Sequence, residues 1–218
     1  MNLSTSAKSH RDAPPRSKPG QSAEPAGRFI FVGKSLSLDL VNTEKMVEGR
    51  RTDLLQTPDD LKAWLREAAL VTAENDLWSG DVDGKKALND IKAFRKVLRG
   101  MAGDMAAGAP MREETVSAIN AALKRKASVL QLRQVDGVWK VGHEVSGRHS
   151  LDHIIAEIAE SAADLISGHD WGLVRQCASD RCILFFLDTT KNHARRWCSM
   201  GVCGNRVKAN AHYRRSRA

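Results

Sequence analysis

"CASDRCILFFLDTTKNHARRWCSMGVCGNR", residues 177–206, holds all four cysteines of a 218-residue chain. They follow the pattern C-x4-C, fifteen residues, C-x4-C, at Cys177, Cys182, Cys198 and Cys203. Two thiol pairs separated by a spacer of this length are the ligand arrangement of a zinc ribbon or treble clef. Zn2+ takes four tetrahedral ligands, and a set of four cysteines leaves no open position, which makes the site structural. Five residues of regular helix turn through about 500°, so Cys198 and Cys203 would point about 140° apart on one helix. The pair is therefore expected to straddle a turn near Gly201, with Cys203 at the entry of a helix that starts near Gly204. "ILFFLD" (183–188) reads as a strand following the first pair.

Charge is distributed with the same asymmetry. Residues 171–218 carry ten Lys/Arg against Asp180 and Asp188, a balance of 10 − 2 = +8, which equals the formal charge of the whole chain. A neutral body is thus joined to a basic, cysteine-bearing end. Such an end suits a polyanion. On the helix after Cys203, Arg206 and Asn210 share a stripe with Tyr213 and Arg217, while Lys208 and Arg215 fall on the opposite side. Arg and Asn are the side chains that read guanine and adenine edges. Lys191, Arg195 and Arg196, on the preceding loop, are placed to meet phosphates, and Arg214 completes the expected nucleic-acid-binding set. Double-stranded DNA is the expected partner. RNA is the alternative, disfavoured because only Trp197 and Tyr213 offer rings for stacking. Basic neighbours lower thiol pKa, so a redox- or metal-sensing zinc protein is another alternative. A treble-clef nuclease, suggested by Asn192-His193 and His212, lacks a nearby carboxylate-and-His cluster. The chain is read as a binding protein and not as an enzyme.

The body is expected to be mainly α with a small β-hairpin, an α+β class. "TPDDLKAWLREAAL" (57–70) has an N-capping Thr57, Pro58 in the first helical position, and Asp59 and Asp60 at the positive end of the dipole. Longer helices are expected over 83–106, after Pro110 with Val116, Ile119 and Leu123 inward, and over 150–167 with Ser150 as cap. Asp136-Gly137 between alternating apolar runs predicts a two-residue hairpin turn. Phe29–Val32 reads as a short strand, whereas "LSLDLVNT" (36–43) fits either strand or helix. Residues 1–27 hold four of six prolines and read as a disordered tail. They lack the apolar run of roughly 7–15 residues that export needs, and no stretch approaches the roughly 18 apolar residues of a membrane span. A cytoplasmic location is expected, where paired thiols bind metal more often than they form disulfides. The organisation is then 1–27 tail, 28–170 body, 171–218 metal module.

Within the body, Asp39 and Asn42 are polar residues in an apolar stretch, and they either line a pocket for a small-molecule effector or cap a turn. His149, His153 and Glu157 share a helix face and are read as an exposed face, not a metal site. Gly33-Lys34-Ser35 echoes a phosphate-binding loop, but five residues separate Gly27 from Gly33 where four are needed.

These residues together resemble the CGNR zinc-finger family. Cys203-Gly204-Asn205-Arg206 is its name-giving motif, Cys177 and Cys182 match its first ligand pair, and Asp188, Arg195–Met200, Lys208, Arg214 and Arg215 are similar to the rest of its pattern. "LSLDLVNT" and "LLQTPDDLKAWL" (54–65) resemble the ABATE domain that precedes this finger in bacterial proteins. The resemblance implies a stress-induced transcription regulator whose finger binds DNA. It further implies a body that senses a ligand or mediates assembly. Many regulators are dimers that bind two half-sites, and a homodimer of this chain would form through the α-rich body. The signal would pass to the finger through the 150–169 helix.

Overall fold

The computed structural model describes residues 28–72, 84–126, 128–145, 150–168 and 170–217. The expected tail, residues 1–27, and His149 lie outside the described residues. In chain order the elements are α1 (Leu36–Val41), β1 (Glu44–Val47), β2 (Arg50–Asp53), α2 (Pro58–Glu67), α3 (Gly84–Ala107), α4 (Glu113–Leu123), β3 (Ser128–Val135), β4 (Val138–Val145), α5 (Leu151–Gly168), β5 (Val174–Gln176), β6 (Phe185–Leu187) and α6 (Asn205–Arg215). The strands pair as three separate antiparallel hairpins, β1–β2, β3–β4 and β5–β6. The α+β class with predominant helix is what the sequence predicts.

The axis of the body is α3. Its 24 residues span about 36 Å at 1.5 Å per residue. Ile91, Leu98, Met101 and Met105 have no exposed surface, and α1, α2, α4, α5 and β5 all pack on it. The helix α2 starts where its local chemistry dictates. Thr57 Oγ1 accepts from Asp60 N, and the Asp60 carboxylate accepts from Thr57 N, so a capping box satisfies two otherwise free N–H groups. The start of α1 is completed from a distance: Ser161 on α5 accepts from Ser37 N at 3.2 Å and bonds Ser35 Oγ at 2.8 Å.

Asp136 and Gly137 both have positive φ, 52° and 77°, as a type I′ turn requires. The β1–β2 hairpin uses the same turn at Glu48 (φ 49°) and Gly49 (φ 80°). Three expectations are corrected. Phe29–Val32 is not a strand: Phe29 lies in a bend and the segment pairs with no strand among the described residues. It is apolar because it is covered on two sides, with Phe29 in the body core and Ile30 and Val32 against the metal module. On α4 the inward stripe is Thr115, Ile119 and Ala122, whereas Val116 faces outward. His153 is buried and not exposed, with Nε2 3.1 Å from Glu157 Oε1.

The basic end shares its core with the body. Val174, Phe185 and Leu187 belong to the body's apolar cluster, while Phe186 and Leu184 pack on the cysteines. The alternation of β6 thus sends one face each way.

Candidate metal centre and basic helix

Each half of the site is built by local backbone bonds. Cys177 follows β5, and its N–H donates to Leu184 O at 2.9 Å; Cys182 N donates to Ser179 O at 3.0 Å, closing the first knuckle. In the second knuckle Ser199 O accepts from both Cys203 N and Gly204 N at 3.0 Å. Residues Met200–Gly204 form a wide π-type turn that runs directly into α6. Cys203 therefore stands at the mouth of the helix, as the spacing argument requires. Gly204 is buried against the Met200 thioether and the Trp197 ring, and a Cβ there would displace the Met200 side chain.

The four sulfurs lie within 4.8 Å of one another. Cys182 Sγ–Cys198 Sγ is 3.7 Å and Cys198 Sγ–Cys203 Sγ is 3.6 Å. A tetrahedron of sulfurs about 2.3 Å from a central ion has edges of about 3.8 Å, so the donor set fits one four-coordinate metal ion and is far too open for disulfides. Hydrogen bonds from the Cys182 and Cys198 thiols pull the Cys177 thiol down. The resulting Cys177 thiolate pushes Cys182 and Cys198 up, and burial does the same to Cys203. Four thiolates can share this space only around a cation.

A second layer holds the knuckles in place. Asp188 has no exposed surface; its carboxylate accepts from Thr190 N at 3.0 Å and from Arg195 N at 2.8 Å. Burial alone would raise its pKa, but these bonds and the nearby Arg175 charge hold it below the ordinary carboxylate range. The Arg195 guanidinium lies 4.2 Å over the Phe186 ring and donates to Trp197 O and Cys198 O. This arginine is a clamp on the second knuckle. Sequence reading grouped it with the phosphate contacts, and nothing in the sequence separates it from Arg196.

The other basic candidates are free of such duties. Lys191, Arg196, Arg206, Lys208, Asn210, Arg214 and Arg215 are all exposed. None of them has a hydrogen bond or ion pair to another side chain among the described residues. Arg196 lies over the Trp197 ring at 5.2 Å, and Arg217 over Tyr213 at 4.4 Å. The helix α6 buries no residue at all. On the opposite flank, Arg175, Arg195 and Arg196 line a depression floored by Gly103, Ala106 and Ala107.

Asp39 and Asn42 serve the joint between the two parts. Asp39 accepts from Gly33 N at 2.8 Å, and burial raises its pKa to about 6 against the effect of that bond. Asn42 has no exposed surface; its Nδ2 donates to Phe185 O at 2.8 Å and its Oδ1 accepts from Phe185 N at 2.9 Å. It completes the outer edge of β6 as a neighbouring strand would. Gly33 O continues that edge by accepting from Leu187 N at 2.9 Å. Arg99 on α3 adds a third tie, with Nη2 donating to Val41 O at 2.6 Å and its guanidinium 5.8 Å over the Phe185 ring. The joint is therefore made mainly by α1 and α3, where the sequence had pointed to the 150–169 helix.

Two family models match the chain. One, described as "Putative stress-induced transcription regulator", is the ABATE model and covers residues 34–169; the other, the CGNR zinc finger, covers residues 174–216. No curated protein matches it. No helix among the described residues is long and apolar enough to cross a membrane. With its body matched over most of its length and its four clustered cysteines inside the second match, the chain belongs to the ABATE family and ends in a CGNR zinc finger.

Proposed function

We propose that this protein is a cytoplasmic transcription regulator that holds Zn2+ on Cys177, Cys182, Cys198 and Cys203 and contacts duplex DNA through α6. The observation that carries the reading is a helix with nothing to bury. An amphipathic helix normally exists to cover a core; α6 has eleven residues, no buried side chain and no acidic residue in its span. It is fixed at one end by the knuckle of Cys203, with Val207 partly buried and one face turned toward Ala178 and Asp180 of the first knuckle, and its remaining residues are exposed. Arg206, Lys208, Asn210, Arg214 and Arg215 cover its surface, and Lys191 and Arg196 add exposed positive charge elsewhere on the module. Zinc supplies no catalysis here: it fixes the direction of α6, and Asp188 and Arg195 stiffen that mount.

The test is duplex binding by the full, metal-loaded chain across a salt series. Truncation before the module is unsuitable, because it removes Val174, Phe185 and Leu187 from the body core. The triple variant Lys208→Gln, Arg214→Gln, Arg215→Gln should bind more weakly, and its log K against log salt slope should flatten by about 0.9 for each phosphate that is no longer neutralised. A variant with unchanged affinity and slope, at equal metal content, overturns the assignment of α6.

A further inference from the structure

Between β1 and the second knuckle lies a cleft of about 350 Å³ whose walls are Ile30, Val32, Met46, Val47, Leu184 and Val202. Lys45, Arg181 and Arg206 stand on the same walls. An adjoining space, again bordered by Met46, Arg181 and Arg206, runs out to Glu48 and Gly49 at the hairpin tip. Cys182, Cys198 and Cys203 line the inner end of the cleft, so it opens directly onto the metal ligands; an ion held among four sulfurs within 4.8 Å of one another is far smaller than the cleft and leaves the space between the outer walls open. Its three walls come from separate parts of the chain, namely the extended 30–32 segment, the β1–β2 hairpin, and the metal module with the first turn of α6.

Two properties define what fits. The walls are predominantly apolar, which suits a hydrocarbon or aromatic body and not a hydrated phosphate chain. The volume is at the lower end of the roughly 300–1,000 Å³ of small-molecule sites. The mouth is cationic, and among the described residues neither Arg181 nor Arg206 has an ion-pair or hydrogen-bond partner. Guanidinium groups bind carboxylates through parallel N–H donors, and Lys45 adds a third positive charge. Among the described residues that line the cleft and the adjoining space, Glu48 is the one acid, at the outer end.

We infer that this cleft binds a small apolar monocarboxylate, its tail against Ile30, Val32, Met46 and Val202 and its carboxylate between Arg181 and Arg206. The ligand touches the body and the module at once. It also occupies Arg206, so under the reading of α6 as the DNA helix, ligand and DNA compete for that side chain.

The test uses the full, metal-loaded chain without DNA, titrated calorimetrically with hexanoate, octanoate and decanoate below their micellar concentrations. Affinity should rise about fourfold per added methylene as apolar surface is buried. 1-Octanol, which keeps the tail and loses the charge, should bind at least tenfold more weakly than octanoate. Arg181→Gln and Arg206→Gln should each lower octanoate affinity about tenfold at unchanged metal content and unfolding midpoint. No binding of any of the three acids, equal binding of the alcohol, or octanoate affinity unchanged in both variants each overturns the site. A second arm adds decanoate to a preformed DNA complex, where release of DNA is expected. Decanoate binding with DNA retained overturns the competition but leaves the site standing, whereas failure of DNA binding in the absence of any acid counts against the function of α6 alone.

Discussion

Replacing Asn42 with alanine should unseat the metal module from the body. The side chain is completely buried and its two polar atoms meet the N–H and C=O of Phe185, itself only 5 % exposed. Alanine leaves both backbone groups without partners. Stranding one such group costs about 1–3 kcal/mol, so the pair amounts to about 2–5 kcal/mol once some water entry is allowed for. Against a total stability of about 5–15 kcal/mol for a domain, that is a large fraction. Urea unfolding of the metal-loaded full chain measures it directly. Because Phe186, the next residue, packs on the cysteines, displacement of β6 should also weaken metal retention in a chelator competition. Asn42→Asp sharpens the test: the carboxylate still accepts from Phe185 N but faces Phe185 O as a second acceptor. It should be worse than alanine at neutral pH and partly recover in acid, when a protonated carboxyl can donate. A loss under about 1 kcal/mol with metal affinity unchanged would refute the claim that this amide joins the two parts.

Other perturbations follow from the same geometry. Arg95→Met removes a guanidinium that is 3 % exposed and binds both Asp53 oxygens at 2.7 Å; the loss should be about 3–5 kcal/mol by chemical denaturation. Cys182→Ser should abolish stoichiometric metal binding and lower the unfolding midpoint of the body too, in a single transition; two separate transitions in calorimetry would contradict a shared core. Asp39 has a native pKa of about 6 against an ordinary 3.8, so the native state binds its proton more tightly than the unfolded chain. Its contribution to stability is therefore greatest below the ordinary value, falls as pH rises through about 6, and stays low above it, by at most about 3 kcal/mol. Asp39→Asn should flatten the stability profile between pH 5 and pH 7.5, a window above the range where other carboxylates titrate; a profile parallel to the parent's would remove Asp39 as its source.

The parts legible in the sequence are those whose physics is local. Ligand spacing from Cys177 to Cys203, the Thr57 cap and the Asp136-Gly137 turn each lie within a few residues or one knuckle pair, and each is where the pattern places it. The β1–β2 hairpin escaped because Glu48 adopts a left-handed conformation that its identity does not advertise. Asn42 could be flagged as a polar residue in an apolar run, but its partner lies 143 residues away. Composition likewise treats Arg195 and Arg196 as equivalent charges. Only packing distinguishes the clamp over Phe186 from the neighbour that faces solvent.

The alternating faces of β6 bear on how such proteins can diverge. The two segments matched by separate family models are not interchangeable parts, because Phe185 and Leu187 must suit one body while Phe186 suits one knuckle. A recombinant carrying a relative's finger would inherit cysteines in register and a strand shaped for a different core. Grafts that also transplant the partners of β6, Asn42 and Arg99, are the ones expected to yield a folded chain. Recombination at the apparent boundary near residue 170 would therefore separate side chains that pack as one core even where both halves are sound.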